Sequence, residues 1–304
     1  MGSISVVINT LNEEENIARA LESVKDIADE IVVVDMESTD KTVAIAKDYG
    51  AEIFHHEKVG YVEPARNFAI DKASKDWVLI LDADEEIPQS LAVKLKQIVK
   101  SPQADYYRLP RRNINFKRWI KNSRWWPDYN IRFFKKGSVT WNEIIHSVPM
   151  TVGKGLDLPA EEKYAITHYN YSSIAKFIER MNRYTDVQAR ALVQKEYKFV
   201  WHDVIRRPLA EFLSRYFAGE GYKDGLHGLA LASLQAFSEL ALYLKLWQAD
   251  QFKQQAVSSQ EFSAEVKRAN KEINWWIVEV MIKSGSFVCS LPKRVYRRIF
   301  LGNE

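Results

Sequence analysis

The sequence runs to 304 residues, enough for one large or two ordinary domains. A hydrophobic fraction of 46% beside 27% charged residues argues against a disordered chain. A net charge of +3 is too small to indicate nucleic-acid binding, although Lys293, Arg294, Arg297 and Arg298 crowd the C-terminal end. Cys289 is the single cysteine, so an intrachain disulfide is excluded and a reducing compartment is expected. Met1-Gly2-Ser3 leads directly into Ile4-Ser5-Val6-Val7-Ile8 without the basic start and cleavage site of a secretory signal, which points to the cytoplasm.

Over the first hundred residues short apolar runs alternate with helical patterns, the sequence form of repeated βαβ units and a mainly parallel sheet. Strands are expected at Ile4–Asn9, Glu30–Asp35, Ala51–His55 and Trp77–Asp82. Between them Glu14–Val24 spaces Ile17, Leu21 and Val24 at helical intervals, and Thr39–Tyr49 does the same with Val43 and Ala46. A further helix is expected to start near Pro88. From Ala104 to Thr167, Tyr106–Leu109, Ile131–Phe134 and Ala165–Thr167 read as strands among polar and aromatic loops, a segment expected to face an acceptor. Long helical patterns follow from Ser172. The apolar stretch Gly228–Trp247 is interrupted by Gln235, Glu239 and Lys245; an acidic group near the middle of a spanning helix is costly, so an interfacial or buried helix is expected.

Ligands of parallel α/β sheets bind beyond the carboxyl ends of the strands, and three predicted strands end in polar runs there. These are Asn9-Thr10-Leu11-Asn12-Glu13, Asp35-Met36-Glu37-Ser38-Thr39-Asp40 and Asp82-Ala83-Asp84-Glu85. If the last run is extended, Asp82 and Asp84 point to one side, where two carboxylates repel unless a hard cation such as Mg2+ or Mn2+ joins them. Such an ion can neutralise a departing diphosphate. The plainer reading is a turn that caps the next helix.

Order and spacing of Val6–Glu13, Ile31–Asp35 with Ser38–Thr42, Ala65-Arg66-Asn67 and Leu79–Glu85 resemble glycosyltransferase family 2, inverting enzymes with the GT-A fold. Within that family the likeness is to the bacterial lipopolysaccharide-core glucosyltransferase type, through Trp126–Tyr129, Arg132–Phe134, His168-Tyr169 and Tyr216-Phe217 through Asp224-Gly225. The resemblance implies a catalytic domain over residues 1–200, with a nucleotide-binding half at 1–103 and an acceptor half at 104–200, before a helical region at 201–304. It implies a nucleotide-diphosphate sugar donor, expected to be a UDP-sugar, and a carbohydrate or glycolipid acceptor. Thr10 and Asp35 would hold the nucleobase with Asn12 and Glu13 beside it; Arg66 would face the diphosphate, Asp82 would contact ribose and the metal region, and Asp84 would ligate Mg2+ or Mn2+. Arg66 has the alternative of an exposed ion pair, and Ser38, Thr39 and Asp40 that of helix caps.

Inverting transfer needs a base near the acceptor hydroxyl, and Glu143 and Asp128 are the candidates. The family's His-Glu pair is replaced here by His146-Ser147, which leaves the base open. His168 is placed to complete a metal shell or touch a phosphate, and Arg132 and Arg183-Tyr184 to contact diphosphate or acceptor. Trp119, Trp125, Trp126, Tyr129 and Trp141 suit the apolar faces of sugars, or else core packing. The basic tail with Trp275-Trp276 and Ile299-Phe300-Leu301 suits peripheral contact with an anionic membrane on the cytoplasmic face, or a helical hairpin that packs on the body or forms a homodimer. A sugar nucleotidyltransferase would want a glycine-rich basic loop where Asn9–Glu15 is acidic. A non-catalytic sugar- or lipid-binding scaffold would have no need of Asp82, Asp84 and Arg66 together.

Overall fold

The computed structural model describes residues 2–58, 63–141 and 149–284. The chain divides into a sheet unit, Met1–Trp119 with Trp125–Ser172, and a helical unit, Ile120–Arg124 with Ser173–Glu304.

The sheet unit begins with β1 (Ile4–Thr10), α1 (Ile17–Val24), β2 (Glu30–Asp35), α2 (Thr42–Asp48), β3 (Glu52–His55), α3 (Glu63–Lys72) and β4 (Trp77–Ile80). It continues with β5 (Glu85–Glu86), α4 (Gln89–Lys100), β6 (Tyr106–Asn115), β7 (Arg118–Trp119), β8 (Asp128–Lys135), β9 (Val139–Thr140), β10 (Met150–Thr151), β11 (Gly155–Asp157) and β12 (Ile166–Tyr171).

All seven residues of β1 are buried, as a central strand covered on both faces requires. Side chains alternate across the sheet, and the two hydrophobic clusters follow that alternation. Val6, Ile8, Leu79 and Leu81 pack with Ile17 and Leu21 of α1 and Leu91 and Leu95 of α4 on one face. Val7, Val32, Val78 and Ile80 pack with Ala69 and Ile70 of α3 on the other. Each fully buried Leu or Ile contributes about 1.5–3 kcal/mol relative to exposure.

The strand order is β3-β2-β1-β4-β8-β6-β12-β5, with β1, β2, β3 and β4 mutually parallel and β8 antiparallel to both β4 and β6. The chain runs outward from β1 to β2 and β3 and then crosses back to place β4 on the other side of β1, so the winding direction reverses between β1 and β4. The carboxyl ends of β1 and β4 therefore flank the crevice in which ligands of such sheets bind.

In the helical unit, α5 (Ile174–Gln194) starts at Ser173, whose Oγ accepts the Lys176 N–H at 3.1 Å. It is followed by α6 (Asp203–Leu213), α7 (Gly225–Ala249) and α8 (Ser259–Ser284). Ala189, Leu242, Tyr243 and Leu246 form a core between α5 and α7. Gly228 is required where α7 passes the turn before it: a Cβ would stand 1.8 Å from the Gly221 carbonyl oxygen. Gly221–Ala249 contains an 18-residue window of mean hydropathy 1.3 and is long and apolar enough, by length and composition only, to cross a membrane. The division between the two compact units falls at Ser172/Ser173. The reason is that α5 belongs to the helical core, where Lys245 Nζ also donates to Asn182 O at 2.7 Å and Thr185 Oγ1 at 2.9 Å. Residues 120–124 join the same unit, their Lys121 and Asn122 N–H groups donating to Asp224 at 3.3 and 2.9 Å.

Candidate functional site

At the carboxyl ends of β1, β2 and β3 the register places Thr10, Asp35 and His55 side by side. Among the described residues the buried Thr10 Oγ1 has no hydrogen-bond partner. Asp35 is 2% exposed and accepts the Ser38 N–H through both oxygens, at 3.3 and 3.1 Å. His55 Nδ1 lies 3.6 Å from Asp35 Oδ2.

Asn12 and Glu13 build the wall of this corner. Asn12 takes φ 54°, its Oδ1 accepts the Thr39 N–H at 2.8 Å and its own N–H donates to Ser38 Oγ at 2.8 Å. Glu13 N–H donates to Thr42 Oγ1 at 2.8 Å, and Glu13 Oε2 accepts Asn16 Nδ2 at 2.7 Å. The bonds to Ser38, Thr39 and Thr42 join the loops after β1 and β2 at the corner where the nucleobase is expected. Asp40 Oδ1 accepts the Thr42 N–H at 2.9 Å where α2 begins.

β4 ends at Ile80, and Asp82 to Glu85 form a turn in which Glu85 N–H donates to Asp82 O at 2.9 Å and Asp82 N–H to Glu85 Oε2 at 3.0 Å. The extended backbone that would aim Asp82 and Asp84 at one ion is therefore absent. Asp82 Oδ1 accepts from Arg66 Nη2 at 3.0 Å and Oδ2 from Arg132 Nη2 at 2.6 Å, so each carboxylate oxygen faces a guanidinium group. Arg66 is buried on α3, not part of an exposed ion pair.

Arg132 and Asp82 open a chain of charges through the sheet. Arg132 Nη2 also donates to Glu85 Oε1 at 2.8 Å, and Arg111 Nη1 reaches the same oxygen at 3.2 Å. Arg111 Nε donates to Asp128 Oδ2 at 2.8 Å, and Asn113 Nδ2 donates to that oxygen at 3.0 Å. Asn113 Oδ1 lies 2.6 Å from His168 Nδ1, and His168 Nε2 lies 3.4 Å from Asp84 Oδ2. Glu85 is completely buried and Arg132 4% exposed. Buried charges of this kind persist only when paired and hydrogen-bonded.

Burial alone would raise the Asp82 carboxyl, but Arg132 and Arg66 outweigh it and hold the group well below the usual carboxylate range. Burial likewise opposes ionisation of Asp128, and Arg111 with Asn113 overcomes it and lowers the group. Asp128, expected as a candidate base, is thereby made a weaker one. Arg132 is raised, its carboxylate partners prevailing over burial.

Glu143 and His146 lie outside the described residues, as do Cys289 and the basic tail. Trp141 belongs to the core, packing on Phe134 at 5.9 Å. Trp119 meets Trp126 edge-on at 5.1 Å, and Trp125 meets Tyr171 at 6.4 Å. Tyr129 donates its hydroxyl to Leu158 O at 2.7 Å. Arg183 is exposed on α5 of the helical unit. Glu85, Arg111 and Asn113 carried no expected role, although Glu85 stands in the run that supplied Asp82 and Asp84.

Among the described residues no group of three or more His, Cys, Asp or Glu is arranged to hold a metal. Asp84 and His168 make a pair, and Mg2+ or Mn2+ is commonly held by one or two protein groups with substrate phosphates and water completing the shell. The donor set fits a cation that arrives with a diphosphate.

The model of the family described as glycosyl transferase family 2 matches residues 5–153. An uncharacterized glycosyltransferase of Rickettsia typhi is 33% identical over 256 residues, covering 81% of this chain and 87% of the relative. The lipopolysaccharide core biosynthesis glycosyltransferase LpsC of Rhizobium meliloti is 26% identical over 81% of this chain and 92% of its own length. Among solved structures, S. aureus TarS 1–349 in complex with UDP is 15% identical, with a TM-score of 0.45 over 84% of this chain and 94% of that one. Glucosyl-3-phosphoglycerate synthase of Mycobacterium tuberculosis with Mn2+ and UDP-glucose is 24% identical, with a TM-score of 0.30 over 35% of this chain and 42% of that one. With its mainly parallel sheet of GT-A type followed by helices, the chain belongs to glycosyltransferase family 2.

Proposed function

We propose that the chain transfers a hexose from a UDP-sugar to a carbohydrate or glycolipid acceptor such as lipopolysaccharide core, with inversion by direct displacement assisted by Mg2+ or Mn2+. The observation that carries this reading is the Asp84–His168 pair, 3.4 Å apart and 13% and 8% exposed, beside arginines that neutralise Asp82. The Asp35 carboxylate, at the other end of the crevice, suits the imide N–H of uracil. Arg66 and Arg132 supply guanidinium donors that match phosphate oxygens. A bound divalent ion would supply charge neutralisation of the departing diphosphate. With Asp128 committed to Arg111, Glu143 is the candidate base. The similarity to LpsC supports an acceptor of the lipopolysaccharide core class.

A lipid-linked acceptor also suits peripheral contact with the inner face of a membrane. On α7, Leu226, Leu229, Phe237 and Leu244 are exposed. Loss of membrane pelleting on removal of residues 260–304 would assign the contact to the C-terminal region, and unchanged pelleting would reject that assignment.

A thermal-shift screen of nucleotide-diphosphate sugars with and without Mn2+ tests the donor and the metal, since a ligand of the folded state raises the melting temperature. UDP-sugars are expected to give a shift enlarged by Mn2+, and Asp84→Ala to remove the enlargement. A full Mn2+ effect in Asp84→Ala would overturn the metal assignment. Hydrolysis or transfer of labelled sugar marks a glycosyltransferase, whereas pyrophosphate exchange would mark a nucleotidyltransferase.

A further inference from the structure

Asn113 is completely buried on β6, and its neighbours fix which way its amide is turned. Its Nδ2 faces two acceptors, the Trp125 carbonyl oxygen at 3.0 Å and Asp128 Oδ2 at 3.0 Å. Neither can donate, because a carbonyl has no hydrogen and Arg111 keeps Asp128 ionised. Both amide hydrogens are thus engaged, and the remaining atom, Oδ1, is an acceptor 2.6 Å from His168 Nδ1. His168 must therefore donate from Nδ1. A neutral imidazole that donates from Nδ1 carries its lone pair on Nε2, and Nε2 faces Asp84 Oδ2 at 3.4 Å. Two electron-pair donors so placed are brought together by a cation.

We infer that Asn113 is a positioning residue: it locks His168 in the Nδ1–H tautomer, so that Nε2 and Asp84 together present lone pairs to the divalent ion that accompanies the donor diphosphate. This rests on the metal-dependent transfer proposed above and assigns a role to a residue that touches neither metal nor substrate. The residue type follows from the chemistry. An aspartate here would accept from His168 but set a second carboxylate against Asp128, and a leucine would leave the Trp125 carbonyl, Asp128 and His168 each short of a bond. Only an amide donates twice on one side while accepting on the other. Histidine ligands of metals are commonly oriented in this manner through their second nitrogen, and loss of the orienting group typically lowers metal affinity about 10–100-fold.

The test uses the full chain with UDP and Mn2+. Mn2+ affinity is measured by electron paramagnetic resonance at saturating UDP for wild type, Asn113→Ala and Asn113→Leu, alongside UDP affinity without metal. Both variants are expected to bind Mn2+ about 10–100-fold more weakly while metal-free UDP affinity is preserved, a split that mere loss of packing would not produce. A second readout is the 15N spectrum of the His168 ring in metal-free wild type at about pH 8, above the ordinary imidazole range. The expected spectrum has Nδ1 protonated and Nε2 bare, and it decides the question even if the variants fail to fold. Wild-type Mn2+ affinity in both variants, or an Nε2–H ring in wild type, overturns the role of Asn113 and leaves the metal reading intact. Absence of Mn2+ binding to wild type with UDP overturns the metal reading, and this inference with it.

Discussion

Arg132→Met removes the guanidinium that bridges Asp82, at 2.6 Å, and Glu85, at 2.8 Å, while keeping an unbranched apolar stem. A unit-charge pair about 4 Å apart attracts by about 4 kcal/mol at an effective dielectric constant of ~20, and Arg132 makes two such pairs. Against that loss stands the cost of burying a side chain that is only 5% exposed, several kcal/mol per ion, which the variant recovers. Arg66 still reaches Asp82 and Arg111 still reaches Glu85. The net is set by Glu85, completely buried and left with its weaker partner, and breaking one side of a buried pair costs about 3–5 kcal/mol. At about 2–4 °C per kcal/mol for a domain of this size, the melting temperature should fall by roughly 6–20 °C. Thermal unfolding followed by circular dichroism at neutral pH measures it. The double variant Arg132→Met with Glu85→Leu should recover much of the loss, because replacing a buried pair by apolar groups is often neutral. A drop under about 2 °C, or a double variant less stable than Arg132→Met alone, would refute the claim that this network compensates buried charge.

Burying an unpartnered hydroxyl costs stability, so Thr10→Val should raise it by about 1 kcal/mol in urea unfolding; the same change should weaken UDP binding by calorimetry if Oγ1 bonds the nucleoside, and unchanged affinity would remove Thr10 from that pocket. Glu143→Gln should lower kcat by about 10²–10⁴-fold while Asp128→Asn chiefly lowers stability; the reverse ranking in a transfer assay would make Asp128 the base. Arg206 and Arg268 hold the Glu265 carboxyl at about 2 against an ordinary 4.5. Its folded-state value is depressed, so the stabilisation is complete above pH 4.5 and is lost as pH falls toward 2, and Glu265→Gln should flatten that part of the unfolding profile. Asp128, lowered from 3.8, adds a loss of the same sign below pH 3.8, which Asp128→Asn should remove.

The nucleotide-binding half was legible because strands buried on both faces leave unbroken apolar runs: β2 matches its expected bounds, Glu30–Asp35, and β1 exceeds its own by Thr10 alone. Ends were harder to place. α1 begins at Ile17 rather than Glu14, since Glu13 and Glu14 donate their N–H groups to Thr42 and Asp40 across a gap in sequence that no local pattern reveals. Trp77–Asp82 reads as one strand, but the strand ends at Ile80 and Asp82 to Glu85 form a turn closed by Glu85. β6 runs through Pro110 to Asn115 where the expected strand stops at Leu109, because proline ordinarily marks a strand's end. Arg111 and Asn113 lie beyond that proline, and their partners Glu85, Asp128 and His168 come from other strands, so the charge chain had no signature in any one segment.

The stitching of Asn12, Glu13 and Glu14 to Ser38, Thr39, Asp40, Lys41 and Thr42 bears on how the proposed nucleotide would be received. Immobilising a backbone residue costs about 1–2 kcal/mol, and a flexible rim would charge that cost to every binding event. Here folding has met it in advance, so docking of the proposed nucleotide is expected to be a rigid-body encounter, with a rate governed by diffusion and electrostatic attraction rather than by ordering of this rim. Amide hydrogens of residues 12–14 and 38–42 should then exchange as slowly in the free protein as in the nucleotide complex.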